Sequence, residues 1–191
     1  ETALECELDK VKIDKFSYDI HIKGTNILLE VDPTYTHNAL GNHWDTNGLD
    51  KGYHLHKTEL ASQEGYRCLH IFDWDSIDKI VSLLAPKQSV YARKCTIKTL
   101  NAITASEFED SYHLQGGCRG QSVCLGLMYQ NELIQVMTFG KPRYNKKYQW
   151  ELLRLCTDTK YKVVGGAQKL FARFVHDYSP ESVISYCDIS K

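Results

Sequence analysis

Residues 17–37 read SYDIHIKGTNILLEVDPTYTH, and few folds accommodate such a stretch. Phe16, Tyr18, Ile20 and Ile22 alternate with polar partners, the period-two pattern of a half-buried strand. Lys23-Gly24-Thr25-Asn26 has turn chemistry, and the apolar run Ile27–Val31 suits a second strand buried on both faces. Pro33 ends that strand by removing an amide donor. Asp19 therefore sits on the first strand, Glu30 and Asp32 close the second, and His37 follows in the loop. Three carboxylates at one end of an apolar hairpin repel one another unless a cation sits among them. An oxygen-rich cluster of this kind suits Mg²⁺, with Mn²⁺ as the alternative.

Such a cluster has the parts of a phosphodiesterase site. Carboxylates hold the ion, which neutralises the scissile phosphate and lowers the pKa of an attacking water. A nearby base or cation completes the set. His37 in the loop, or Lys57 and His56 one turn into the following helix, fill that role. The expected metal ligands are Asp19, Glu30 and Asp32, and the expected catalytic residues are these three with His37 and Lys57.

The chain has 191 residues, room for one medium domain or two small ones. No apolar run approaches the roughly 20 residues of a membrane helix, and ETALECELDK lacks the basic-then-apolar order of a signal peptide. Seven cysteines without a CxxC pair point to reduced thiols in a cytoplasmic setting. Net charge is −1, but residues 1–88 carry 9 Lys+Arg against 15 Asp+Glu, and residues 89–191 carry 14 against 9. An acidic half that holds metal and a basic half that meets phosphates suit a nucleic-acid enzyme.

Residues 1–14 read as a short amphipathic helix. Residues 34–52 read as a long loop, and 49–64 as a helix with Tyr53, Leu55, His56, Leu60 and Ala61 on one face, stopped by Gly65. A strand over 66–72 and a helix capped by Asp73 or Asp75 and closed before Pro86 complete an α/β unit. Beyond 86–89 follow a strand over 92–100 and a helix over 104–113, with Thr104 as cap and Glu107 at the capping-box position. A hairpin over 122–139, a strand over 148–156, a glycine-opened helix over 165–178 and a last strand over 182–187 end the chain.

YDIHI followed by LLEVDPTYTH resembles the core of PD-(D/E)XK nucleases, in the variant related to very-short-patch-repair endonucleases and EDxHD homing endonucleases. YHLHKTELASQEGYRCLHIFDWD is similar to the Lys-bearing helix and following strand of phage homing-endonuclease-like proteins. The resemblance covers about residues 1–85. It implies that Asp19 is the central metal-binding aspartate, that Glu30-Val31-Asp32 is the second acidic segment, and that His37 is the histidine of a Trp-His pair. It also implies an N-terminal acidic residue, Glu1, Glu5 or Glu7. Three positions depart from the pattern: Thr36 precedes His37, Pro33 replaces a glycine, and Asp32 stands where the tripeptide lysine would be. Lys57 from the helix, or His37, then takes the lysine's place.

The order of elements after residue 92 resembles the GNAT acyltransferase fold. Lys162-Val163-Val164-Gly165-Gly166-Ala167 stands at its pyrophosphate loop, and close helix–sheet packing at the two glycines is the plain alternative. Lys141, Arg143, Lys146 and Lys147, with Tyr144 and Tyr148 interleaved, suit phosphate contacts and base stacking, and Arg119 in a Gly-rich loop is a further phosphate contact. A solvated hairpin tip explains the same tract without a ligand.

The expected architecture is α/β, with a PD-(D/E)XK-like nuclease domain over 1–87 and a GNAT-like mixed-sheet domain over 90–191 that positions DNA. The expected activity is metal-dependent DNA cleavage in the cytoplasm, that of the host if the source is a phage. A DNA-binding protein with a degenerate nuclease core and a GNAT-type acyltransferase are the alternatives. His43, His54 and His70 read as structural or surface residues. A zinc set of His37, His43, His54 and His56 lacks a cysteine and matches no structural zinc spacing.

Overall fold

The computed structural model describes residues 4–35, 37 and 52–187. The readings that involve Glu1, Thr36 and His43 lie outside the described residues. The chain divides into two compact units, with the break between Asp75 and Ser76. Both are mixed α/β.

In the first unit the strands β1 (Cys6–Ile13), β2 (Phe16–Ile22) and β3 (Ile27–Val31) form an antiparallel meander. Helix α1 (Tyr53–Gln63) then crosses over to β4 (Arg67–Ile71), which lies parallel to β3. The sheet order is β1-β2-β3-β4. The first segment is thus a strand and not the expected helix. Pairing with β2 overrides the helix-like spacing of Leu4, Leu8 and Val11: Leu8 lies opposite Ile20 and Val11 opposite Tyr18 across a bulge, with Asp9 at φ 49°. Gly65, at φ 83°, follows the α1 terminus, and its amide donates to Ser62 O at 3.1 Å.

Tyr18, Leu28, Ala61 and Cys68 form the apolar part of this unit's core. Leu28 pairs with Cys68 and Glu30 with His70, so both pairs lie on the face that α1 covers. On α1 the residues turned toward that face are His54, Lys57, Thr58 and Ala61, at i, i+3, i+4 and i+7, while Leu55 is half exposed. Of the face expected from hydrophobic spacing, Tyr53, Leu55, His56, Leu60 and Ala61, only Ala61 is buried, and the polar His54, Lys57 and Thr58 seat the helix beside it.

The second unit opens with α2 (Ile77–Leu84), capped by Ser76, whose hydroxyl accepts from Lys79 N at 3.4 Å. This helix lies before the expected division at 87–90, yet it belongs to the second unit. Lys79 Nζ fastens it there, donating to the carbonyls of Asp110 and His113 at 2.8 and 2.7 Å. The expected strand over 92–100 is a 3₁₀ turn (Ala92–Lys94) followed by the short β6 (Thr96–Thr99), and a further strand, β5 (Gln88–Tyr91), precedes it. Helix α3 (Ala102–Tyr112) is capped by Asn101, which accepts from Thr104 N at 2.8 Å, so Thr104 is not the cap.

The strands β7 (Gln121–Tyr129), β8 (Glu132–Gly140) and β9 (Trp150–Thr157) continue the antiparallel meander from β6. Gln130 and Asn131, both at positive φ, make the β7–β8 turn. The short strand β10 (Tyr161–Val164) pairs parallel with β5. Helix α4 (Gly166–Tyr178) then leads to β11 (Val183–Ser185), parallel to β9, giving the order β11-β9-β8-β7-β6. Alternate strand residues face the two helices. Val123, Leu125, Leu127 and Phe139 pack with Leu170 and Phe174 of α4, and Cys124, Val136 and Cys156 pack with Ala105 and Phe108 of α3. Among the described residues no helix is long and apolar enough to cross a membrane.

Candidate metal and hydrolytic site

The β2–β3 ladder ends at Ile20↔Leu29, and beyond it the strands part. Two carboxylates replace the lost carbonyl acceptors: Asp19 N donates to Glu30 Oε1 at 3.1 Å, and Val31 N donates to Asp19 Oδ2 at 2.9 Å. Lys57 reaches from α1 onto Glu30 Oε2 and lies 5.0 Å from the centre of the Tyr18 ring, whose hydroxyl donates to Lys57 O at 2.7 Å. Burial pushes the Glu30 carboxyl up, partly offset by the hydrogen bond and charge of Lys57.

Asp32 extends the parallel ladder, its amide donating to Ile71 O at 2.8 Å, and its side chain is 1% exposed. Three imidazoles surround that carboxylate. His70 Nδ1 lies 2.5 Å from Oδ2, His54 Nδ1 lies 3.4 Å from Oδ2, and His37 Nδ1 lies 3.0 Å from Oδ1. Burial alone would raise the Asp32 carboxyl, but the His70 hydrogen bond and the imidazole charges outweigh it and hold the carboxyl low. Burial pushes His54 down, against the pull of Asp32. His37 is brought in by its own loop: its amide donates to Pro33 O at 2.9 Å, and Thr34 N donates to Asp73 Oδ2 at 2.9 Å.

Asp19, Glu30, Asp32, His37 and Lys57 therefore all gather at one end of this sheet, under and beside α1. His54 and His70, read from sequence as structural or surface residues, stand in the centre of the group. Asp32, His54 and His70 each offer a ligand atom within 4.8 Å of the others. For His54 the signal is spacing, because it shares a helix face with Lys57; His70 is set beside Glu30 by the β3–β4 register, for which the sequence carries no local signal. The oxygen-only set expected for Mg²⁺ is not what assembles. Lys57 occupies Glu30, and Asp32 is ringed by nitrogen, a donor mixture that suits a borderline ion such as Zn²⁺ or Co²⁺ better.

In the second unit the basic residues divide. Arg143 is committed to the buried Glu151, its Nε and Nη2 lying 2.8 and 2.7 Å from Oε1 and its amide 2.6 Å from Oε2. Lys146 donates to Pro142 O. Arg119, Lys141 and Lys147 are exposed. At the glycine loop, a Cβ on Gly166 would stand 2.1 Å from Gln135 Oε1, so close helix–sheet packing explains that glycine. Lys169 donates to Ala92 O and Cys95 O at 2.9 and 2.5 Å, fastening α4 to the chain beside β5. An open cleft of about 500 Å³ lies beside this loop, lined by Tyr91, Arg93, Val164, Gly165 and Gln168 among others.

Comparison with protein-family models, curated proteins and solved structures found no match to this chain.

Proposed function

We propose that this protein is a metal-dependent phosphodiester hydrolase acting on DNA. The observation that carries the reading is the parted end of β2 and β3, where Asp19 and Glu30 stand side by side with Lys57 and the Asp32–imidazole group. The antiparallel meander followed by a helical crossover to a parallel fourth strand is also the order that a PD-(D/E)XK nuclease core implies. The second unit's meander, crossover helix and parallel strand beside β9 agree with a GNAT-like arrangement, read here as a DNA-positioning module.

Asp32, His54 and His70 would hold a divalent ion, which would supply a lowered water pKa and charge neutralisation at the phosphate. The chain's own groups do the rest. His37, 23% exposed, lies at the accessible side of the cluster and takes the proton of the attacking water. The buried Lys57 ammonium balances the Glu30 carboxylate, and Asp19 fixes the local backbone through Val31 N. In the net reaction water adds to phosphorus, one P–O ester bond breaks, and the leaving oxygen gains a proton. Arg119, Lys141 and Lys147 supply exposed positive charge for the backbone of the nucleic acid.

The test is cleavage of supercoiled and linear DNA with Mg²⁺, Mn²⁺, Zn²⁺ or EDTA, using the full chain and Asp19→Ala. Metal-dependent cleavage that Asp19→Ala abolishes is the expected result. Cleavage that survives both EDTA and the substitution overturns the proposal. Binding without cleavage under every metal makes the protein a DNA binder with a degenerate core.

A further inference from the structure

Asp32 is almost wholly buried, yet its Oδ1 has no hydrogen-bond partner among the described residues, and neither has the Nδ1 of His37 or of His54. These atoms stand 3.0–3.4 Å from the carboxylate, at contact distance but without hydrogen-bond geometry. Buried polar atoms left in this state cost roughly 1–3 kcal/mol each unless something else satisfies them.

The tautomer of His70 narrows what that something is. Thr58 Oγ1 donates its single proton to His54 O at 2.9 Å, so toward His70 Nε2, 2.8 Å away, the hydroxyl can only accept. Nε2 therefore carries a hydrogen, and Nδ1 faces Asp32 Oδ2 across 2.5 Å, a hydrogen-bond distance at which a shared proton stands where both atoms would turn to an ion. A histidine whose far nitrogen is fixed by an outer hydrogen bond is how proteins orient a metal ligand. Thr58 also ties that ring to the backbone of His54, the neighbouring ligand. The vertices of a tetrahedral site with ligand bonds near 2.1 Å are about 3.4 Å apart; the His54–Asp32 separation is 3.4 Å, and the His70–Asp32 contact, 2.5 Å, opens to that spacing when an ion replaces the shared proton.

We propose that Asp32, His54 and His70 form a specific site for a borderline divalent transition ion of the Zn²⁺ and Co²⁺ class. Its fourth vertex is open to water on the His37 side, and Thr58 is the positioning residue that selects the ligating nitrogen of His70. Three protein ligands with one open vertex is the form of a catalytic site. The ion site is read from its ligands alone and stands without the hydrolase reading; only its use in cleavage rests on that reading.

The experiment uses the full chain, stripped of metal and free of DNA. Co²⁺ is titrated and the visible absorption of tetrahedral Co²⁺ followed, with Zn²⁺ as competitor and Mg²⁺ as control. One ion per chain is expected, displaced by equimolar Zn²⁺ and indifferent to Mg²⁺ in large excess. His54→Gln and Asp32→Asn should abolish the signal, Asp19→Ala should retain it, and Thr58→Val should weaken affinity about 10–100-fold with its circular dichroism unchanged. Equal Co²⁺ affinity in the native chain and His54→Gln would overturn the site, and displacement by Mg²⁺ would overturn its class. Affinity unchanged in Thr58→Val would remove Thr58 from it. Metal binding with no DNA cleavage would leave the site standing and reject the hydrolase.

Discussion

Both units bury carboxylates, but they treat them in opposite ways. In the second unit Glu151 receives three donors from Arg143, and Glu109 receives Thr138 Oγ1 at 2.8 Å, Gln121 Nε2 at 2.7 Å and the amide of Cys118. These groups tie α3 and two loops to β7, β8 and β9. In the first unit Asp32 is buried as deeply, yet it is faced by imidazole nitrogens that do not donate to its Oδ1. A buried carboxylate with every lone pair answered is a fastener. One left partly unanswered amid other unanswered groups is kept for a ligand.

The widest separation of the two cases should come from substitution in metal-free protein. Glu109→Ala strands three donors and should cost about 3 kcal/mol in urea unfolding. Asp32→Asn should stay within about 1 kcal/mol, because Asp32 is only partly satisfied to begin with. Equal losses at the two positions would erase the distinction.

Acid should expose the second unit's dependence on satisfied burial. Burial, reinforced by the charges of Arg154 and Lys79, pushes His113 down from 6.5 to about 4. The folded state keeps this ring neutral while the unfolded chain protonates below 6.5, so its contribution is complete above that pH and is lost as pH falls toward 4. The loss is at most about 3 kcal/mol, and His113→Gln should flatten that part of the stability–pH curve. An unchanged curve in the variant would assign the acid sensitivity elsewhere.

A glycine that looks functional in sequence should behave as a packing residue. Gly166→Ala drives a methyl into Gln135 Oε1 and Val163 Cγ1 and should cost about 2 kcal/mol by thermal or urea unfolding. The smallest effect tests a cap: Asn101→Ala should cost about 1 kcal/mol, while Thr104→Ala should change stability by less than about 0.5 kcal/mol.

Much of the first sheet and part of its site were legible in the chain. Alternation placed Tyr18 and Ile20 on a strand, Gly24 in a turn, and Asp19, Glu30 and Asp32 at one end, because a strand's period fixes which side chains share a face. Hydrophobic spacing failed on α1 for a physical reason. Its buried face is His54, Lys57, Thr58 and Ala61, and a helix seated on polar groups carries no apolar stripe. The first segment failed differently: its charged residues suit helix or strand alike, and only the partner β2 decides. Arg143 was legible as basic but not as spoken for, since only the turn of the β8–β9 loop brings it back onto Glu151 of β9.

The sequence by itself determined that acid and imidazole groups would lie close to a hairpin end. Only the tertiary structure decided which of them meet. The parallel pairing of β3 with β4 brings His70 beside Glu30 and Asp32, and the crossover of α1 lowers His54 and Lys57 onto the same face. Those contacts join residues tens of positions apart, and no local pattern encodes a distance between elements that meet only after the chain has folded.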